Sequence, residues 1–215
     1  MSQKISLKGV ERKAFSASYQ DGLIDIFIGC VVLMFAIAPF LSPALGDFWS
    51  SAIFLPFWGI VYLLLWALRN YVVRPRAGNV TYGSWRKSRL LKFNIFAFAG
   101  GILALILGIL SLVKFDVLPG WIHTARFSLL MLVGFSVTAY FLEFTRLYLY
   151  GALIALSPLV GEYLYATFAV PHHGFPITFG LTAVFILFTG LLLFVRFLRD
   201  HPLQAYPREG QNNDV

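Results

Sequence analysis

Glu162 stands four residues after Pro158 in the run Ser157-Pro158-Leu159-Val160-Gly161-Glu162, inside an otherwise apolar stretch. A proline within a helix withholds one amide hydrogen and frees the carbonyl four residues earlier, here that of Ile154, and a residue four positions further on shares its face. A carboxylate in such surroundings can exchange a proton or hold a cation. Arg126, with His123 three residues before it, supplies an opposite charge in the preceding apolar stretch. At about 1.5 Å per residue, Arg126 falls about 6 Å and Glu162 about 8 Å below the same boundary of a ~30 Å hydrocarbon layer. Equal depth predicts that the two are neighbours. They either line a polar cavity with Pro158 and His123 or staple two helices together. His172 and His173 follow in the next connection, but the three histidines lack the i, i+4 pair or carboxylate spacing of a metal site, so neither metal nor cofactor is expected.

A second acidic group opens the chain's apolar part. Asp21 and Asp25 are i, i+4 with Gly22 and Gly29 nearby, which turns both carboxylates one way and makes them an inner gate or an anchor. Arg69, Arg74, Arg76 and Arg146 are the candidate partners. Arg74, Arg76, Arg86 and Lys87 lie in a basic stretch suited to lipid phosphates. Glu143 and Arg146, i and i+3, read as a local boundary pair.

The elements that must hold these residues are apolar. Hydrophobic residues make up 59% of the 215-residue chain and charged ones 13%, too little polar surface for a water-soluble globule of this size. Six stretches, about 23–42, 48–68, 93–113, 121–142, 147–170 and 175–198, approach the ~20 residues a spanning helix needs. The fold class expected is all-α: a polytopic six-helix transmembrane bundle forming one domain. Residues 1–20 form a basic tail, 69–92 the one long connection and 199–215 a second tail.

Fifteen of the seventeen Lys and Arg residues fall on one side of that arrangement, and Lys114 and Arg126 on the other. By the positive-inside rule both termini and the 69–92 loop are cytoplasmic. The net charge of +7 is thus a topological signal and an attraction to anionic headgroups, and no nucleic-acid motif accompanies it. Trp49, Trp121, Trp66, Trp85 and Tyr148 sit at boundaries, as an aromatic belt would. Cys30 is the single cysteine, excluding an intramolecular disulfide. Within the loop, Arg74-Pro75-Arg76 reads as an extended start fixed by proline.

Tyr19-Gln20-Asp21-Gly22-Leu23-Ile24-Asp25-Ile26-Phe27-Ile28-Gly29 and Arg74-Pro75-Arg76-Ala77-Gly78-Asn79-Val80 resemble a group of uncharacterised prokaryotic integral membrane proteins. The resemblance implies a prokaryotic inner (cell) membrane and carries no catalytic residue with it.

Gly100, Ala104 and Gly108 form a small-residue stripe that admits a close helix, in the same bundle, in a second copy (a homo-oligomer) or in a membrane-complex partner. Residues 93–115 align weakly with 175–197, as an inverted repeat would. Two functions compete. One is a small transporter or channel-like permease with its polar site in the outer half, and the other is a non-catalytic accessory or assembly subunit. A membrane enzyme is a weaker third candidate, since metal-ligand clusters, Gly-x-Ser-x-Gly, phosphate-binding glycine loops and Asp-rich alcohol-transferase signatures are all missing from the sequence.

Overall fold

The structure, a computed structural model, describes residues 21–77, 88, 91–102, 106 and 120–202, and these are all helix and short connections. The helices are α1 (Leu23–Ala52), α2 (Phe54–Leu68), α3 (Leu91–Ile102), α4 (Gly120–Leu142), α5 (Arg146–Phe168) and α6 (Phe175–Asp200). Five helical stretches, Leu23–Gly46, Phe48–Arg76, Trp121–Leu142, Arg146–Phe168 and Pro171–Asp200, are long and apolar enough to cross a membrane. The third expected span is described only as Leu91–Ile102, so its remainder, with Ala104, Gly108 and most of the suspected repeat, lies outside the described residues.

Apolar periodicity brings α1, α4, α5 and α6 together. The core is Val32 and Ala36 of α1, Ala139 of α4, Leu147, Tyr150 and Ile154 of α5, and Phe179, Ala183 and Ile186 of α6, with Phe144 from the α4–α5 connection. α1 runs along α6, α6 against α5, and α5 along α4. α1 and α4 pack less closely across the other side of this row, where the edge of Phe127 meets Phe35 at 6.0 Å. Close approach depends on glycine. A Cβ on Gly190 would stand 2.8 Å from the amide nitrogen of Ile26, and one on Gly22, held at φ +78°, would strike the Gly190 carbonyl. Only a residue without a side chain lets these backbones meet, and only glycine takes that φ freely.

The bundle has two ends. The start of α1, the start of α5 and the last turns of α6 gather at the first, which we call the Arg146 end. The Gly46 turn, the start of α4 and the α5–α6 connection gather at the second, the His173 end. Arg69, Arg146 and Arg196 therefore share an end. α2 is peripheral: of its side chains only Phe54 is buried, while Leu55, Tyr62, Leu63 and Leu64 are exposed. α3 leans Phe93 and Phe96 on Phe141 of α4.

The boundaries correct the sequence reading in two places. The first span runs on past residue 42 to a break at Gly46 (φ 76°, ψ 162°) in spite of Pro39 and Pro43. The second does not end at 68. It continues as a π-helical turn over Arg69–Val73 and an α-turn over Arg74–Ala77. Pro75 is thus helical, not the start of an extended segment: the wider turn before it breaks the i to i−4 ladder, so its missing amide hydrogen and its ring are accommodated.

Candidate functional site

Two polar constellations lie at opposite ends of the four-helix body. At the Arg146 end Asp25 is fully buried, at 0% exposure. Its Oδ1 accepts a 2.6 Å hydrogen bond from the hydroxyl of Tyr150, and its Oδ2 lies 3.4 Å from Nη2 of Arg146. Oδ2 has that ion contact but no hydrogen bond. Arg146 also lies over the ring of Phe144, 5.1 Å from its centroid. Three helices build this cluster, because the Cβ of Asp25 fits against Gly190 of α6 while Arg146 and Tyr150 stand one turn apart on α5. Asp21 stands beside it, within reach of the charges of Asp25 and Arg146. Its Oδ1 accepts from the amide of Leu23 at 3.1 Å, an Asx turn that opens α1. Burial pushes the Asp21 carboxyl above the usual carboxylate range, against the Leu23 amide, Arg69 and Arg146, which pull it down. The expected twin carboxylates are therefore divided between capping and ion pairing.

The basic stretch is only partly visible. Arg74 is exposed, and Arg76 is half-buried and donates from Nη1 to the Val72 carbonyl at 3.1 Å. Arg86 and Lys87 lie outside the described residues.

At the His173 end the expected pair of Arg126 and Glu162 is not formed. Glu162 Oε2 lies instead 3.0 Å from Nδ1 of His173, and Arg126 is exposed on α4 with no ion pair among the described residues. The reason is the connection after α5. Ala169 ends the helix in the left-handed region, and His172 (φ 55°), His173 (φ 54°) and Gly174 (φ 63°) continue there, folding the chain back over the last turns. Non-glycine residues in that region each cost about 1 kcal/mol. Gly174 packs its backbone on Gly161, within 3.2 Å of where a side chain would begin, and the His173 ring rests on Tyr165 and Phe175 at 4.2 and 5.8 Å. Equal depth fixed the height of Glu162, while its direction around the helix axis favoured the connection above.

Beside this pair lies a cavity of about 490 Å³ lined by Phe35, Ala38, Pro39, Ser42, Ser50, His123, Thr124, Phe127, Pro158, Phe175 and Phe179. It occupies the gap between α1 and α4. A second hollow of about 270 Å³ shares Pro39, Ser42 and Phe175 and adds Pro43, His172 and His173. Two of the four residues expected to form a polar site, His123 and Pro158, line the larger cavity, and Glu162 and Arg126 do not. Next to the proline, Ser157 donates to the Leu153 carbonyl at 2.8 Å, and its oxygen lies 2.9 Å from that of Thr182 on α6, a polar tie between the two helices. Among the described residues no three His, Cys, Asp or Glu side chains are grouped to hold a metal.

Sequence reasoning missed Tyr150 and the aromatic wall. The first was available, since Tyr150 is i+4 to Arg146 and shares its face. The second was not, because the four phenylalanines come from three helices. No family model, curated protein or solved structure matches the chain. The class rests on the fold alone: among the described residues the protein is all helix and connections, with five helices able, by length and composition, to cross a membrane.

Proposed function

We propose that the chain is a small permease of a prokaryotic inner membrane, with its working site in the outer half of the bundle. The observation that carries this reading is the cavity between α1 and α4, bordered by proline on two helices, at the end opposite the buried Asp25 cluster. Prolines loosen the helices that would have to move, and polar backbone left by them is tolerated at membrane depth only where protein or water meets it. The positive-inside rule sets the Arg146 end in the cytoplasm and the His173 end outside. In this reading the Asp25–Tyr150–Arg146 cluster is the closed inner gate, Arg74 and Arg76 meet lipid phosphates, and Glu162 with His173 stands at the mouth.

Alternating access is the test, because it needs no knowledge of the cargo. On a Cys30→Ala background, Thr124→Cys in the cavity wall is expected to react with a membrane-impermeant thiol reagent from the outer face of cells and from the inner face of inverted vesicles. Reaction from one face only would leave a fixed hollow and no permease. The alternative, a non-catalytic accessory or assembly subunit, would then replace it; the wide apolar face of α2, with Leu55 at 70% and Leu63 at 61% exposure, is what favours that reading.

A further inference from the structure

We infer that the cavity between α1 and α4 binds an uncharged amphipathic small molecule, with an aromatic or polycyclic apolar body and one or two hydroxyl or carbonyl groups. The inference rests on reading this cavity as the working site, but it does not require that the ligand cross the membrane.

The volume, about 490 Å³, lies within the ~300–1,000 Å³ of sites that take drug-sized molecules. Its walls say what kind. Phe35 stacks on Phe179 at 5.3 Å, Phe127 meets Phe35 edge-on, and Phe175 meets Phe179 edge-on at 6.1 Å. These four rings form one continuous surface drawn from α1, α4 and α6, already in mutual contact, so a flat apolar body can be received without reordering them. Rings so held lose little entropy on binding, and aromatic pairs gain from their edge and face geometry beyond the area they bury.

Among the described residues the polar part of the lining is Ser42, Ser50, Thr124 and His123. A hydroxyl whose proton is engaged keeps acceptor lone pairs, so these groups can serve a ligand hydroxyl while remaining bonded within the protein. Among the described residues no Asp, Glu, Lys or Arg lines the cavity. An ion taken from water into it would give up its hydration, and none of those described lining residues carries a fixed charge to replace it. Of the described charged groups at this end, Glu162 pairs with His173, and Arg126 is exposed and not part of the lining. An inorganic ion, the cargo that Glu162 invites in the sequence, is thus the less fitting occupant.

Three photoreactive probes of one skeleton test this: uncharged para-(hydroxymethyl)benzophenone, anionic para-benzoylbenzoate and cationic para-benzoylbenzyl-trimethylammonium. Each is irradiated with the full chain in lipid nanodiscs and the adducts are mapped by mass spectrometry. The uncharged probe is expected to label the segments around Phe35, Phe127 and Phe179 saturably. Filling the cavity by Thr124→Trp, or from the opposite wall by Ala38→Phe, should reduce that labelling about tenfold or more, in whichever variant keeps the native thermal midpoint. Both charged probes should stay at background there. Stronger cavity labelling by a charged probe would overturn the inference. So would uncharged labelling that is spread equally over the exposed α6 face at Leu181 and Val184 and is indifferent to both variants, since that is partition into lipid. Cavity labelling with Thr124→Cys reactive from one face keeps the ligand class and removes transport. Access from both faces without labelling keeps transport and removes this ligand class.

Discussion

Asp25 is the residue on which the packed body turns. A buried carboxylate left without its donor loses the exchange of water for protein hydrogen bonds that made its burial tolerable, about 1–3 kcal/mol. Tyr150→Phe is therefore expected to lower the unfolding free energy in mixed micelles by that amount, while Tyr163→Phe, whose side chain is 64% exposed, leaves it unchanged; equal effects would remove the cluster from the account of stability. Asp21 gives a pH test. Its folded carboxyl holds a proton to higher pH than the unfolded reference near 3.8, so the stability it supplies is complete below that reference and is lost as pH rises through the folded value. Asp21→Asn keeps an acceptor for Leu23 and cannot ionise. It should melt above the native chain near pH 7, with the difference closing toward pH 4; a constant difference would sink this reading. The chemistry-bearing residues were legible here, their partners less so. Arg146 was one of four arginines that sequence offered to Asp25, and His173 displaced Arg126 beside Glu162 because helical rise sets depth and leaves azimuth open.

At the scale of elements, contact between α1 and α6 is set by where side chains are missing. Gly190→Ala would place a methyl 2.8 Å from the Ile26 nitrogen and 3.0 Å from the Asp25 Cβ, so the helices must part, at about 1–3 kcal/mol. Gly59→Ala on α2, with nothing within 4 Å, is expected to be neutral or stabilising by up to about 1 kcal/mol through helix propensity. Comparable losses in the two variants would show that the close approach carries no weight. Existence and rough placement of the helices were readable from apolar length. Their ends were not: Arg69–Val73 looks like a charged loop next to Pro75, and only the π-turn lets the helix pass through it. The break at Gly46, by contrast, had a visible cause in a residue that takes a positive φ.

For the whole molecule, helix direction and charge agree. Asp21, Arg69, Arg146 and Arg196 gather at one end and Trp121, His123 and His172 at the other. On the Cys30→Ala background, Arg74→Cys is expected to label only from the cytoplasm and Pro171→Cys only from outside; the opposite pattern would invert the topology. The α1–α4 gap was not foreseeable, since it arises from three helix pairs that pack well and a fourth that packs less closely. The polar cluster has a further bearing on how such a chain is made. Asp25 and Tyr150 are 125 residues apart, so at ~5–20 residues per second a ribosome delivers the phenol roughly 6–25 seconds after the acid. Until residue 146 is made, the first helix carries a carboxylate with neither of its final partners, Arg146 and Tyr150, yet synthesised. Nascent chains arrested before residue 146 should therefore linger at the membrane surface or on an insertion factor and be the preferred prey of membrane proteases, and arrest beyond residue 150 should end that vulnerability.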